Sequence, residues 1–336
     1  MNQTKQNPLK KLLSVRGMGG ALTAFAGLII IYIVFGIINP TVYSGQNIMN
    51  LLRSMSKYLL IGIGQSYVLI TGNIDLSIGS MVGMSAMISA TMMAGGVSPI
   101  IAILVAMVCC LAIGAMNGVM VGKFKLPPFI ATLGTMFVAR GVAYMVNGNR
   151  NTEAISSGIG KEAADSFQNF FYYGKTFGVY NTFWIALILF VIFFFLLSKT
   201  RTGRHIYAIG SNVDAAKLSG VNVVATTTKT YLVSAFCACV VGLILCGQAN
   251  MGNMEAGNMY EMYGVAAGVI GGVSPLGGTG ILLGTLAGSA VWQTLENGLN
   301  MIGAQVGIQR LVIGIIVVCA VMLDVVFRRG VVKKKK

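Results

Sequence analysis

Eight runs of apolar residues, each about 17–22 residues long and separated by more polar stretches, are the feature that most constrains what this chain can fold into. A helix rises 1.5 Å per residue, so runs of that length match the hydrocarbon core of a bilayer. They occupy 21–38, 74–93, 100–121, 129–146, 182–198, 231–249, 281–299 and 308–327. Two shorter runs, 58–71 and 262–273, bring the total to about ten spans. None shows the alternation of a barrel strand, and in lipid every backbone N–H and C=O must be paired within the protein. The predicted fold class is therefore all-α, a polytopic transmembrane helical bundle.

Composition closes off the water-soluble alternatives. Hydrophobic residues make up 55% of the chain and charged residues only 10%, with a mean hydropathy of +0.78, which no fully solvated surface tolerates. The net charge of +15 does not mark a nucleic-acid binder, because the basic residues lie between or after apolar runs without an aromatic recognition surface. Most of them form four clusters: the N-terminal arm with Lys5, Lys10, Lys11 and Arg16, then Lys123 with Lys125, the stretch 199–229, and the tail 328–336. Ten spans with a cytoplasmic N-terminus put all four on the cytoplasmic side, as the positive-inside rule requires. Glu153, Glu162, Asp165 and Glu255 then fall mostly outside. The expected organisation is a basic arm (1–20), one membrane domain (21–327) and a basic tail (328–336), with both termini cytoplasmic in a bacterial plasma membrane. The arm resembles the charged start of a signal peptide, but the run after it lacks a small-residue cleavage pattern. Asp324 stands beside Arg328 and Arg329 as an interfacial ion pair.

The chemistry-bearing residues are few. The six cysteines all lie inside expected spans and read as small packing residues, and the single histidine, His205, excludes a histidine metal cage. The stretch from Gly118 to Lys123 falls one residue short of a Walker A loop, and Phe124 stands where Ser or Thr is needed. With no nucleophile elbow or metalloprotease helix either, the chain is expected not to be an enzyme and to need no cofactor.

Two segments stand out as a weak internal repeat. "LITGNIDLSIGSMVG" (69–83) and "VIGGVSPLGGTGILLG" (269–284) each run from an apolar stretch through a glycine-rich break into a second helix. Paired interruptions point to a transport pathway, because broken helices present backbone dipoles at membrane depth. The candidate pathway residues are Gly72, Asn73, Asp75 and Ser77 in the first break, and Gly271, Gly272 and Ser274 in the second. The glycines Gly79, Gly83, Gly280, Gly284 and Gly288, spaced by four, equally serve close helix packing. Asp75 can cap the following helix by accepting from the N–H of Ser77 or Ile78. Arg140 and Glu296 lie within spans, where each charge is costly, so Arg140 is expected to pair with Glu296 or with a helix C-terminus. Between two spans, 212–219 reads as a short helix: Asn212 caps it, Asp214 sits in its first turn, Lys217 in its last, and Gly220 ends it. Ala215 and Ala216 are the small residues expected to face a cytoplasmic partner.

These residues together resemble a known family, the permease subunits of bacterial ribose, galactose, xylose and arabinose ABC importers. The matching stretches are "LITGNIDLSIGS" (69–80), "PPFIATLGTMFVARG" (127–141), "TRTGRHIYAIGSNVDAAKLSGVNV" (200–223), "GNMYEM" (257–262), "IGGVSPLGGTG" (270–280) and "ENGLNMIG" (296–303). The resemblance implies two permease subunits around one pathway, a separate ATPase subunit that hydrolyses the ATP, and an extracytoplasmic sugar-binding protein. It also implies that Gly210 to Gly220 is the coupling segment that contacts the ATPase, and that Asn73 and Asp75 lie beside the pathway. The chain departs from common family members at Asn73, Tyr263 and Glu296, where Gly, Asp and Asn are frequent. Within the same machinery, an importer of nucleosides, autoinducer-like molecules or branched-chain amino acids is the nearest alternative. An ion-coupled secondary transporter is the other, and it would have only Asp75 and Glu296 as carriers.

Overall fold

The computed structural model describes residues 17–312 and, beyond them, 314–316, 318 and 322. The expectations for the arm 1–16, for the Asp324 ion pair, for Cys319, for the tail 328–336 and for half of the run 308–327 lie outside the described residues. The rest is helical almost throughout, with one two-stranded antiparallel hairpin, β1 (Lys175–Thr176) and β2 (Val179–Tyr180).

In chain order the helices are α1 (Met18–Ile38), α2 (Gly45–Ile70), α3 (Ile78–Ala94), α4 (Pro99–Gly122), α5 (Pro128–Met145), α6 (Ile155–Ile159), α7 (Lys161–Gln168), α8 (Asn181–Lys199), α9 (Arg201–Ser211), α10 (Val213–Leu218), α11 (Val223–Ala249), α12 (Tyr260–Ile270) and α13 (Leu282–Met301). Helix resumes at 306–312. Every one of the ten expected spans corresponds to a helix that is at least partly described. Five of them, α1, α4, α5, α8 and α11, are long and apolar enough to cross a membrane by themselves.

The bundle has an inner and an outer layer, and the sequence differs between them for a physical reason. Helices α1, α4, α5 and α8 bury only 22–28% of their apolar windows and expose Ile29, Ile30, Ile100, Leu104, Phe137 and Phe195 to what must be lipid. Helices α2, α3 and α11 form the interior. There the buried groups include Ser66, Ser85, Ser89, Thr230, Ser234 and Cys237 to Cys239, because between membrane helices close packing and hydrogen bonds, not apolarity, drive association. The described cysteines are free thiols, and four of the five are fully buried, as the packing reading expects.

The glycine stripes do pack closely. A Cβ on Gly284 would collide with the backbone of Gly271, one on Gly288 with the Ala267 carbonyl, and one on Gly83 with the Ala256 carbonyl.

The largest departure from the sequence reading is in α2. Its start lies at Gly45, held by Ser44, whose hydroxyl accepts from the Asn47 N–H at 3.3 Å. The hydropathy signal placed the span at 58–71 because the first half, "GQNIMNLLRSMSK", is polar; there Met55 and Ser56 are buried and most of the other residues are half-buried. Arg53 and Lys57 were thereby missed as intramembrane charges.

The bundle has two distinct ends. At one, the 146–180 segment folds over the α11–α12 linker, with Thr152 N–H to Gly252 O at 3.0 Å and Ile155 N–H to Asn250 O at 2.9 Å. At the other lie the two breaks and the α9–α10 segment.

Candidate functional site: the meeting point of two broken helices

The two interrupted segments are brought into contact. Helix α2 ends at Ile70, and its last free carbonyl accepts from the Gly278 N–H at 2.8 Å, a bond that ties one break directly to the other. The backbone turns through Gly72 (φ 77°) in the first break and Gly272 (φ 84°), Gly277 (φ 85°) and Gly278 (φ 72°) in the second, conformations that side chains other than glycine strain to adopt. Ser274 staples the second loop: its N–H donates to Thr279 O at 3.0 Å and its hydroxyl accepts from Leu276 N–H at 3.2 Å. Asn73 donates to the Thr71 hydroxyl at 2.8 Å, so its side chain closes the first turn.

Asp75 is fully buried and accepts three hydrogen bonds: from the Ser77 N–H (2.9 Å) and hydroxyl (2.6 Å) on one oxygen, and from the Ser234 hydroxyl (2.7 Å) on the other. The cap expected from the sequence is present. Its extent was not foreseen. Ser77 in turn accepts from the Asn117 amide at 2.9 Å, Asn117 accepts from Thr135 at 2.7 Å, and Tyr231 donates to the Ile74 carbonyl at 3.1 Å. One buried network thus pins the start of α3 to α4, α5 and α11. Asn117 in the middle of an apolar run was the available signal, but its partners are far apart in the chain.

The α9–α10 segment sits on this junction. Tyr207 donates to the Gly280 carbonyl at 2.6 Å, and Gly210 lies so close to both breaks that a Cβ there would collide with the Ile70 carbonyl and with Gly278 N. Gly210 therefore belongs to the inward contact and not to an outward face, which corrects its place in the coupling set. Helix α10 is built as expected: Asn212 Oδ1 accepts from Ala215 N–H at 2.9 Å, Asp214 and Lys217 occupy the first and last turns, and Gly220 (φ 81°) follows. Of the two alanines only Ala215 is exposed; Ala216 is buried, because the face that carries it packs against the protein. The outward face instead presents Val213, Asp214, Lys217 and Leu218, the last 90% exposed.

Toward the other end, the Arg140–Glu296 pair is not formed. Arg140 donates to the carbonyls of Met254 (2.8 Å) and Ala256 (2.9 Å) in the α11–α12 linker, while Glu296 accepts from the Tyr58 hydroxyl at 2.8 Å. The carbonyls of a tight loop satisfy a guanidinium as a helix C-terminus would. Glu296 lies against an aromatic group in which Tyr58, Tyr263 and Trp292 meet edge-on or tilted, with centroids 5.0–6.4 Å apart.

The two interrupted helices of the bundle thus meet beneath the α9–α10 segment. The family model described as "Branched-chain amino acid transport system / permease component" matches residues 47–321, which covers every element of this site. This chain is a member of that permease family. The permease is 36% identical over 96% of its length to the ribose import permease protein of Bacillus subtilis (strain 168), covering 97% of that protein. It is 32% identical to the D-allose transport system permease protein of Escherichia coli (strain K12), over 88% of this chain and 89% of that one. To the galactose/methyl galactoside import permease protein of Salmonella typhimurium it is 34% identical, over 85% and 88% respectively. No solved structure matches it. The permease is thus a multi-pass membrane transport component and not an enzyme.

Proposed function

We propose that the permease forms the membrane pathway of an ATP-driven importer of a neutral monosaccharide, ribose-like in size, and that it works as a homodimer. The observation that carries this reading is the seating of α9 on both breaks through Gly210 and Tyr207. A partner ATPase that pulls on α10 moves α9, and α9 cannot move without displacing the Ile70–Gly278 bond. The exposed Leu218 and Val213, flanked by Asp214 and Lys217, are the apolar anchor and polar rim that such a partner would grip. A sugar-binding protein would deliver substrate at the 146–180 end, and lipid would cover α1, α4, α5 and α8.

Charge supports this orientation. Lys123, Lys125, Lys199, Arg201, Arg204 and Lys217 lie at the α10 end, while Glu153, Glu162, Asp165 and Glu255 lie at the other. In a cysteine-free background, cysteines placed at Lys161 or Lys175 are expected to react with an impermeant thiol reagent added outside intact cells, and cysteines at Lys123 or Lys217 are not. Outside labelling at Lys217 would invert the model. Leu218→Glu is expected to leave the permease inserted but to lose co-purification with its ATPase, at a cost of about 2 kcal/mol or more if Leu218 is a central anchor. Retention of the ATPase by that variant would remove α10 from the contact.

The family description leaves branched-chain amino acids as the second class of solute. Uptake of labelled D-ribose, D-allose, D-galactose and leucine by the assembled importer separates the two.

A further inference from the structure

A cavity of about 460 Å³ lies between α2, α3, α11 and the α11–α12 linker, at the end away from α10, and its walls include Lys57, Gln248, Asn253, Glu255, Asn258 and Tyr260. Its volume falls in the range of small-molecule sites. Lys57 is an ammonium within a membrane-spanning helix, and in such a place an ionisable group marks a functional site unless a partner accounts for it. Its partner accounts for little: of three N–H donors, one is used, on Gln248 Oε1 at 3.2 Å. The Gln248 side-chain NH₂, the Asn258 side-chain amide and the Tyr260 hydroxyl have no hydrogen-bond partner among the described residues. Glu255 is already engaged by the Tyr144 hydroxyl at 2.6 Å, and Asn253 by the Glu255 N–H at 2.8 Å.

The wall is charge-balanced, one ammonium against one carboxylate, so it selects no net charge. Its unspent donors and acceptors come from four separate stretches of chain, α2, α11, the α11–α12 linker and α12, and converge on one space, a pattern that suits a solute bearing several hydroxyls. Ala86, Leu245 and the Tyr260 ring supply the apolar surface against which the C–H face of such a solute can lie. We infer that this cavity is a transient binding site for a neutral polyhydroxylated solute on the permease itself, entered from the side opposite the ATPase. This deepens the sugar-import reading and rests on it.

The test uses the full chain in proteoliposomes, with native cysteines replaced and Asn258→Cys as the reporter. The Asn258 side chain is exposed and has no hydrogen-bond partner among the described residues, so its replacement breaks no bond seen there, and Gln248→Leu added to the reporter removes the unspent amide. Millimolar D-ribose, D-allose or D-galactose is expected to slow thiosulfonate modification of the cysteine several-fold, leucine is expected to have no effect, and Gln248→Leu is expected to weaken the sugar protection about tenfold, as loss of one hydrogen bond to a bound solute does. Protection by leucine and by no sugar would overturn the inference. So would the absence of sugar protection in a permease that, with its ATPase and binding protein, accumulates one of those sugars; the function reading would then stand without the site. Protection that needs the binding protein and ignores the sugar would make the cavity a docking socket and refute it. An assembled importer that accumulates leucine and none of the three sugars would remove the function reading and the site together.

Discussion

Gly210→Leu is expected to reduce uptake by more than an order of magnitude while leaving most of the bundle folded. The position has no room: the first atom of any side chain would collide with the Ile70 carbonyl and Gly278 N, the two atoms whose hydrogen bond joins the breaks. Overpacking of this kind costs about 1–3 kcal/mol, and losing a buried hydrogen bond adds about 1 kcal/mol. The cheapest relief is for α9 to lift off the junction, which would separate the ATPase contact from the pathway. The measurement is ATP hydrolysis and sugar uptake by the assembled importer: hydrolysis is expected to persist while uptake falls. Coupled uptake at the native rate would show that α9 does not act through this contact.

Asp75→Ala is expected to have an effect as large, but on stability. Alanine leaves the Ser77 N–H and the Ser234 hydroxyl buried without an acceptor, at about 1–3 kcal/mol for each group left unpaired. Asp75→Asn keeps a carbonyl oxygen for both bonds from Ser77, and its amide can donate to the Ser234 hydroxyl, so it is expected to retain most expression and uptake. Thermal unfolding in detergent and uptake should therefore rank native, Asn, Ala in that order. If Asn and Ala were equally inactive with normal expression, the charge itself would be needed, and Asp75 would be acting as an ion carrier of the kind a secondary transporter requires.

How much of this was legible depended on where the information lies along the chain. The cap at Asp75, the helix at 213–218 with Asn212 before it, and the glycine-rich breaks are local: each is written within a few residues, and each is present where the sequence placed it. The lipid-facing helices α1, α4, α5 and α8 were equally plain, because the side of a helix in contact with hydrocarbon must be apolar. The first half of α2 was not. Arg53 and Lys57 lower its hydropathy, and only the packing of α2 against its neighbours reveals that Arg53 lies over the Tyr172 and Tyr180 rings and that Lys57 lines a cavity. Arg140 and Glu296 misled for a related reason: two opposite charges in spans invite pairing, but linker carbonyls and the Tyr58 hydroxyl reached them first.

By itself the sequence determined the solvent of the chain, its all-α class, the approximate number and position of its spans, and the existence of two interruptions with a capped helix at one side, since all of these follow from apolar periodicity and local turn chemistry. Only the tertiary structure decided that the two interruptions touch, that Gly210 is wedged between them, that Ala216 faces in and Leu218 out, and that Asn117, Thr135 and Ser234 complete the network around Asp75. Those facts depend on contacts between residues tens to about two hundred positions apart, and in a membrane interior, where hydrophobicity no longer distinguishes one helix face from another, shape and hydrogen bonding choose the neighbours.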